Sequence, residues 1–258
     1  MPYLTNPVLS ACIVLYHSGA EVLKTVQCMQ DSDIMMQLYI VDNSPQDNMG
    51  KKILWQCPGA TYVPQSVNKG YGAGHNAVLD NLQSRYHLIC NPDVTFPPDL
   101  LRRMVNYMDA HQDVAVLTPH VLNEDGTEQH LPKLQPTIRY LLGGKFERFG
   151  GAFARWRAEY TMAGATMTLP TSVQFATGCF MMIRTAYFQQ LGGFDKRFFM
   201  YHEDSDLSKR VLRKGTIIYH PDMIITHVWQ RESAHSVAGT LQHIRSTIKY
   251  FNLWGWRW

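Results

Sequence analysis

The run Val8 to Tyr16 (VLSACIVLY) is apolar almost throughout. A strand with one face in water would alternate polar and apolar residues. This run therefore predicts a strand covered on both faces, as in a sheet with helices above and below. The next hundred residues keep that rhythm. Ala20 to Gln30 reads as a helix with Val22, Leu23 and Val26 inward, and Gln37 to Val41 as a second strand closed by the turn residues Asp42-Asn43-Ser44-Pro45. Ala60 to Val63 predicts a third strand, Ala73 to Leu82 a helix, and Tyr86 to Cys90 a fourth strand. Pro97-Pro98 opens a helix through Ala110, because proline's missing N–H costs little in a first turn. Val114 to Thr118 is a fifth strand. The alternation predicts an α/β fold, Rossmann-like, with a mostly parallel central sheet.

The pattern loosens after Pro119. Asn123 to Gly126 is a turn signal, and residues 132–170 mix Gly, Arg and aromatics without a clean period. Strands return at Gly178 to Ile183, Thr216 to Tyr219 and Met223 to His227, with helices at Glu203 to Lys214 and Gly239 to Phe251. At 258 residues and 45% hydrophobic content, the chain fits one packed domain and not a disordered one. No repeat or linker divides it, so residues 1–240 are read as the domain and 241–258 as a C-terminal helix with an aromatic tail. The net charge of +3, without a dense basic stripe, gives no reason to expect nucleic acid.

Five scattered cysteines with no CxxC spacing predict reduced thiols in a cytoplasmic protein. The opening MPYLTNPVLSACIVLY lacks a basic n-region, so no secretion signal is expected, and no apolar stretch approaches the length of a membrane span.

Ligands of open parallel sheets sit beyond the carboxyl ends of the strands. Those ends carry Tyr16-His17, Asp42-Asn43 and Asn91-Pro92-Asp93, which together predict a shared cleft. Between the third strand and the next helix lies Asn68-Lys69-Gly70-Tyr71-Gly72-Ala73-Gly74-His75-Asn76. Alternate glycines before a helix allow backbone N–H groups to approach a phosphate. The loop is neither a dinucleotide fingerprint nor a Walker loop. Further on, Glu203, Asp204 and Asp206 crowd the start of a helix, where negative charge is favoured. Asp206 is the first choice for a purely structural role. Either Glu203 or Asp204 could act as a general base, and their spacing does not choose between them.

The ordered set Tyr16-His17, Val41-Asp42-Asn43, Asn68 to Asn76, Asn91-Pro92-Asp93 and Gly192 to Leu207 resembles family 2 inverting glycosyltransferases of the GT-A fold, closest to bacterial rhamnosyltransferase-like members. The resemblance covers the chain to about residue 230. It implies a nucleotide-sugar half at about 1–120 and an acceptor half at about 121–240. Tyr16, Asp42 and Asn43 then hold the nucleoside, and Asn68, Gly70 and Asn76 line the nucleotide and diphosphate. Asp93 is the metal carboxylate of an Asp-x-Asp element in which Asn91 replaces the first Asp, and His227 completes the site. Asp204 is the base and Glu203 its orienting neighbour. The implied cofactor is Mg²⁺ or Mn²⁺.

The implied reaction moves a sugar from a nucleoside diphosphate donor to a carbohydrate hydroxyl. The resemblance tilts towards dTDP-L-rhamnose, with UDP-hexoses open, and towards a lipid diphosphate-linked (undecaprenyl-type) acceptor in O-antigen or capsule assembly. Lys133 to Arg157 and the tail interleave basic and aromatic residues, which suits peripheral contact with the inner face of the plasma membrane. Rival readings are a glycoside hydrolase, which needs no nucleotide cleft, a nucleotidyltransferase, whose glycine loop belongs after strand one, and a non-catalytic sugar-binding module, which has no use for Asp93 and Asp204 together.

Overall fold

The computed structural model describes residues 7–165, 167–228 and 237–258; residues 1–6, part of the stretch read for a secretion signal, lie outside it. Strand β1 (Leu9–Leu15) is buried at every position. It pairs in parallel with β2 (Met36–Asp42) on one side and β4 (Tyr86–Cys90) on the other, while β3 (Thr61–Pro64) extends the parallel run beyond β2. The expected α/β sheet is thus present. Its second half is mixed: β8 (Phe180–Arg184) runs antiparallel to both β4 and β6 (Val114–Leu122). The two late strand signals merge into one long strand, β9 (Thr216–His227), parallel to β6 and interrupted by a register shift at Pro119/His120. Short strands β5 (Val94–Thr95) and β7 (Thr171–Ser172) pair antiparallel with β9.

Alternate residues of β1 point to opposite cores. Ala11, Ile13 and Leu15 meet Val22, Val26 and Met29 of α1 (Glu21–Asp31) and Leu101, Met104 and Met108 of α4 (Leu100–Ala110). Cys12 and Val14 face the other way, toward Val78, Phe188, Phe194 and Leu207. Each fully buried aliphatic side chain contributes about 1.5–3 kcal/mol. The doubly covered strand is the mechanical centre of the domain.

Helices the sequence left unread also appear: α2 (Met49–Gln56), α7 (Thr185–Gln190), and the pair α5 (Ile138–Phe146) and α6 (Gly151–Tyr160) within 132–170. Thr137 caps α5 by accepting from the Tyr140 N–H, and Gly143 lets the pair close up, since a Cβ there would sit 2.9 Å from the Arg157 nitrogen.

The Ala73 to Leu82 helix is shorter than expected and starts earlier, as α3 (Tyr71–Asn76). The carboxylate-rich helix is α8 (Glu203–Val211) and the last helix α9 (Val237–Trp254). The tail helix is no appendage. Tyr250 and Phe251 are buried against Phe198, Ile138 and Leu141. No described helix is long and apolar enough to cross a membrane, and all five cysteines are free.

Candidate active site

Because β8 runs against β4, its first residues lie beside the last residues of β4, with Phe180 opposite Cys90. The turn entering β8 therefore sits at the carboxyl edge of the parallel strands, where the polar residues gather. Asp42 ends β2 and is almost fully buried. Its Oδ1 accepts from the Ser44 N–H at 2.9 Å and its Oδ2 from the Tyr62 hydroxyl at 2.9 Å. Next to it, Asn43 Oδ1 is buried without a hydrogen-bond partner, an open acceptor. Tyr16 leaves β1 54% exposed, free to cover a flat ligand.

The glycine-rich segment has a packing role. Gly72 and Gly74 lie inside α3, where a Cβ would meet Phe194 Cβ at 2.8 Å and Val14 Cγ1 at 2.7 Å. They allow tight packing against β1 and the Gly192–Leu207 segment. Gly70 has φ +97°, and a Cβ there would strike the Phe199 carbonyl oxygen at 1.9 Å; that same carbonyl accepts from the Tyr71 N–H. Asn68 Oδ1 accepts from the Gly70 N–H. The Asn76 amide binds Phe194 at both ends, donating to its carbonyl at 2.7 Å and accepting from its N–H at 2.8 Å. Asn76 thus joins the Asn68–Asn76 segment to the Gly192–Leu207 segment.

At the end of β4, Asp93 and His227 come together. His227 Nε2 lies 3.3 Å from Asp93 Oδ1 and 3.2 Å from Asn91 Nδ2, and both Asp93 and His227 are largely buried. No hydrogen bond reaches Asp93 Oδ1. A buried, unsatisfied carboxylate oxygen facing an imidazole nitrogen is a set of donors that fits a divalent cation. Among the described residues no cluster of three or more His, Cys, Asp or Glu could hold a metal by itself. Two protein ligands suit Mg²⁺ or Mn²⁺, whose remaining positions are filled by water and phosphate oxygens.

Across the turn stand the carboxylates of α8. Asp204 Oδ2 accepts from the Gly178 N–H at 3.3 Å and Oδ1 from the Ser205 N–H at 2.8 Å. Burial lifts its carboxyl above the usual range, and the Lys133 ammonium and these N–H donors pull it back. Glu203 is buried with Oε2 unsatisfied, and burial followed by the Asp204 charge pushes it up to about 8. At neutral pH the rise to about 8 favours the protonated form of Glu203. Asp206 is fully buried, bonded to Arg210 at 2.7 Å and to the Trp254 indole N–H at 3.0 Å, so its role is structural. One turn joins Asp204 to the Asn91-Pro92-Asp93 segment: Gly178 donates to Asp204, while the carbonyl of Cys179 accepts from the Asn91 N–H at 2.8 Å. The Cys179 thiol, raised to about 12 by burial, lies in the fields of both Asp93 and Asp204.

Comparison with known proteins identifies the family. The profile of "Glycosyl transferase family 2" matches residues 10–192. The chain belongs to glycosyltransferase family 2. A second profile, "N-terminal domain of galactosyltransferase", matches residues 159–233 of this glycosyltransferase. It is 24% identical over 215 residues to the N-acetylglucosaminyl-diphospho-decaprenol L-rhamnosyltransferase of Mycobacterium tuberculosis (strain ATCC 25618 / H37Rv), covering 78% of this chain and 68% of that protein. It is 22% identical over 254 residues to rhamnosyltransferase WbbL of Escherichia coli (strain K12), covering 92% and 90%. Among solved structures, a Pyrobaculum calidifontis mannosyltransferase in complex with GDP-Man and Mn²⁺ superposes with TM-score 0.65 at 14% identity, covering 97% of this chain and 64% of that one. GalNAc-T7 with UDP, GalNAc and Mn²⁺ gives TM-score 0.66 at 12% identity, covering 95% and 48%. This chain thus spans less than two thirds of either solved neighbour. The fold of the glycosyltransferase is GT-A.

Several residues of the site carried no signal in the sequence. Tyr62, which bonds Asp42, looked like one more strand aromatic. Gly178 acts through its backbone, which no side-chain motif reports. Lys133, in the field of Asp204 and over the Phe175 ring at 5.6 Å, was visible only as one basic residue of a mixed segment. Gln129, bonded to His227, belonged to no motif.

Proposed function

We propose that the chain is an inverting, metal-dependent hexosyltransferase that moves rhamnose from dTDP-L-rhamnose, or another hexose from a UDP donor, onto a hydroxyl of a lipid diphosphate-linked glycan. The role this fits is O-antigen or capsule assembly. The observation that carries the reading is the Gly178-Cys179 turn, which bonds Asp204 on one side and the Asn91-Pro92-Asp93 turn on the other. The mycobacterial relative, named for a decaprenol diphosphate-linked acceptor, supports the acceptor class.

In this reading Tyr16 stacks on the nucleoside while Asp42 and Asn43 accept from it. Asp93 and His227 hold the divalent ion, which when bound neutralises charge on the departing diphosphate. Asp204 accepts the acceptor's hydroxyl proton from the opposite side of the sugar, so one displacement inverts the anomeric centre. Neutral Glu203 spares Asp204 a negative neighbour. The imidazole ligand favours Mn²⁺ over Mg²⁺.

The exposed stripe Leu241, Ile244 and Ile248 on α9, with Arg245 beside it and Trp256 and Trp258 exposed beyond it, supports peripheral contact with the inner face of the plasma membrane.

A thermal-shift panel tests the donor assignment. A nucleotide sugar that binds the native state raises Tm, and dTDP-L-rhamnose with Mn²⁺ is expected to raise it most, ahead of UDP-galactose and GDP-mannose. No shift with any nucleotide sugar would overturn the reading.

A further inference from the structure

Gln129 grips a single residue in two places. Its Nε2 donates to the His227 backbone carbonyl at 2.7 Å, and its Oε1 lies 3.1 Å from His227 Nδ1. Nε2 also donates to Asn123 Oδ1 at 2.9 Å, and the Gln129 N–H is anchored on the Val121 carbonyl at 3.0 Å. Gln129 is itself buried. This geometry fixes the amide's orientation by chemistry: a carbonyl oxygen only accepts, so the atom 2.7 Å from the His227 carbonyl must be the NH₂ group. The other end is then an oxygen, which also only accepts. His227 Nδ1 must carry a hydrogen.

In a neutral imidazole the second nitrogen then bears a lone pair. That nitrogen, Nε2, faces Asp93 Oδ1 at 3.3 Å and the Asn91 amide at 3.2 Å. The contact with Asn91 Nδ2 agrees, since an amide N–H can donate to a lone pair. Asp93 Oδ1 receives nothing, as two acceptors facing each other require.

We propose that Gln129 is the positioning residue of the cation site: it locks His227 as the Nδ1–H tautomer, turning Nε2 and its lone pair toward Asp93 so that a divalent ion finds both ligands in place. The inference deepens the metal-dependent reading above and rests on it for the identity of the bound group. Partners of a ligand's remote nitrogen commonly change metal affinity by about 10–100-fold when removed. Without Gln129, the His227 proton is free to move to Nε2, from which it is donated in a hydrogen bond to Asp93 Oδ1. The two ligands then satisfy each other and the site closes.

The test uses the full chain and two variants. Gln129→Leu removes both polar ends at similar bulk; Gln129→Glu keeps an acceptor for Nδ1–H and loses the donor. The His227 tautomer is read from ring nitrogen–hydrogen correlations of ¹⁵N-histidine-labelled, metal-free protein. Mn²⁺ affinity is read by electron paramagnetic resonance in saturating UDP and, separately, dTDP.

Expected are Nδ1–H in the wild type and in Gln129→Glu, Nε2–H in Gln129→Leu, and Mn²⁺ affinity about 10–100-fold weaker in Gln129→Leu. A Gln129→Leu protein that keeps both Nδ1–H and wild-type Mn²⁺ affinity overturns the proposal; so does loss of Nδ1–H in Gln129→Glu. Wild-type protein that shows Nδ1–H but binds no Mn²⁺ with either nucleotide refutes the metal reading itself and the cation half of this inference with it. The tautomer spectrum and the Mn²⁺ titration therefore separate the two failures.

Discussion

The backbone N–H of Gly178 donates to Asp204 Oδ2 at 3.3 Å. A carboxylate held by a main-chain donor is fixed by the fold, and here the donor belongs to the turn that enters β8. Lys133 adds a field that favours the ionised form of Asp204, working against burial. A base is active when deprotonated, so activity rises with pH through its pKa. Removing the lysine charge by Lys133→Met raises that pKa. The acid limb of the kcat/KM profile should move to higher pH in Lys133→Met, while an unmoved limb would mean that Lys133 does not act on the base.

Glu203 titrates in the opposite sense to a salt-bridged carboxylate. Its folded-state pKa of about 8 lies above the ordinary value of 4.5, so the native state holds a proton that the unfolded chain releases. Stability from this group is full below about 4.5, falls as pH rises through the window from about 4.5 to 8, and stays low above it. Glu203→Gln should flatten the Tm-versus-pH curve across that window and raise Tm at pH 8. In a domain of this size each kcal/mol recovered appears as about 2–4 °C. A melting series from pH 4 to pH 9 checks it.

Gly70 is the position where a side chain is least tolerable. Its φ of +97° is unfavourable for an L residue, and a Cβ would overlap the Phe199 carbonyl. Gly70→Ala should destabilise by about 2 kcal/mol or more in denaturant unfolding. Gly59→Ala, with nothing within 4 Å of its Cβ position, is the matched control. Because Gly70 docks on Phe199, the loss should disturb the 192–207 segment and reduce transfer activity as well.

Membrane contact is best tested by surface substitution. Deleting residues 241–258 would strip Tyr250 and Phe251 from the core and break the Asp206–Trp254 hydrogen bond. Replacing Leu241, Ile244 and Ile248 with Asn leaves those contacts intact. Flotation with anionic liposomes should carry the wild-type chain into the lipid fraction and leave the triple variant behind. Equal behaviour of the two proteins would deny α9 any part in membrane contact.

Much of this architecture was legible because burial leaves a periodic trace. The β1 run announced a doubly covered strand, and the βαβα rhythm put Asp42 and Asn91-Pro92-Asp93 at strand ends. What stayed hidden was whatever depends on tertiary partners. The direction of β8 is set by what it pairs with, not by its own FMMIR sequence. The hairpin α5–α6 lacks a single apolar stripe because it packs on two sides, between the domain and the C-terminal segment, where Trp156 meets Trp258 and Ile138 bonds Arg257. The glycines of the Asn68–Asn76 segment were visible, but the packing of Gly72 and Gly74 was not, because being small for packing is indistinguishable in sequence from being small for a phosphate. Gln129 and Gly178 act through amide and backbone groups that no motif encodes.

The proposed chemistry divides the work between two aspartates: Asp204 takes the acceptor's proton, and Asp93, across the Gly178-Cys179 turn, serves the donor's phosphates. Single-turnover transfer by Asp204→Asn, measured with donor affinity on the same preparation, separates those roles. The expected rate is lower by about 10²–10⁴-fold, with donor affinity unchanged within about twofold. Transfer at a near wild-type rate, or a loss explained entirely by failed donor binding, would refute Asp204 as the base.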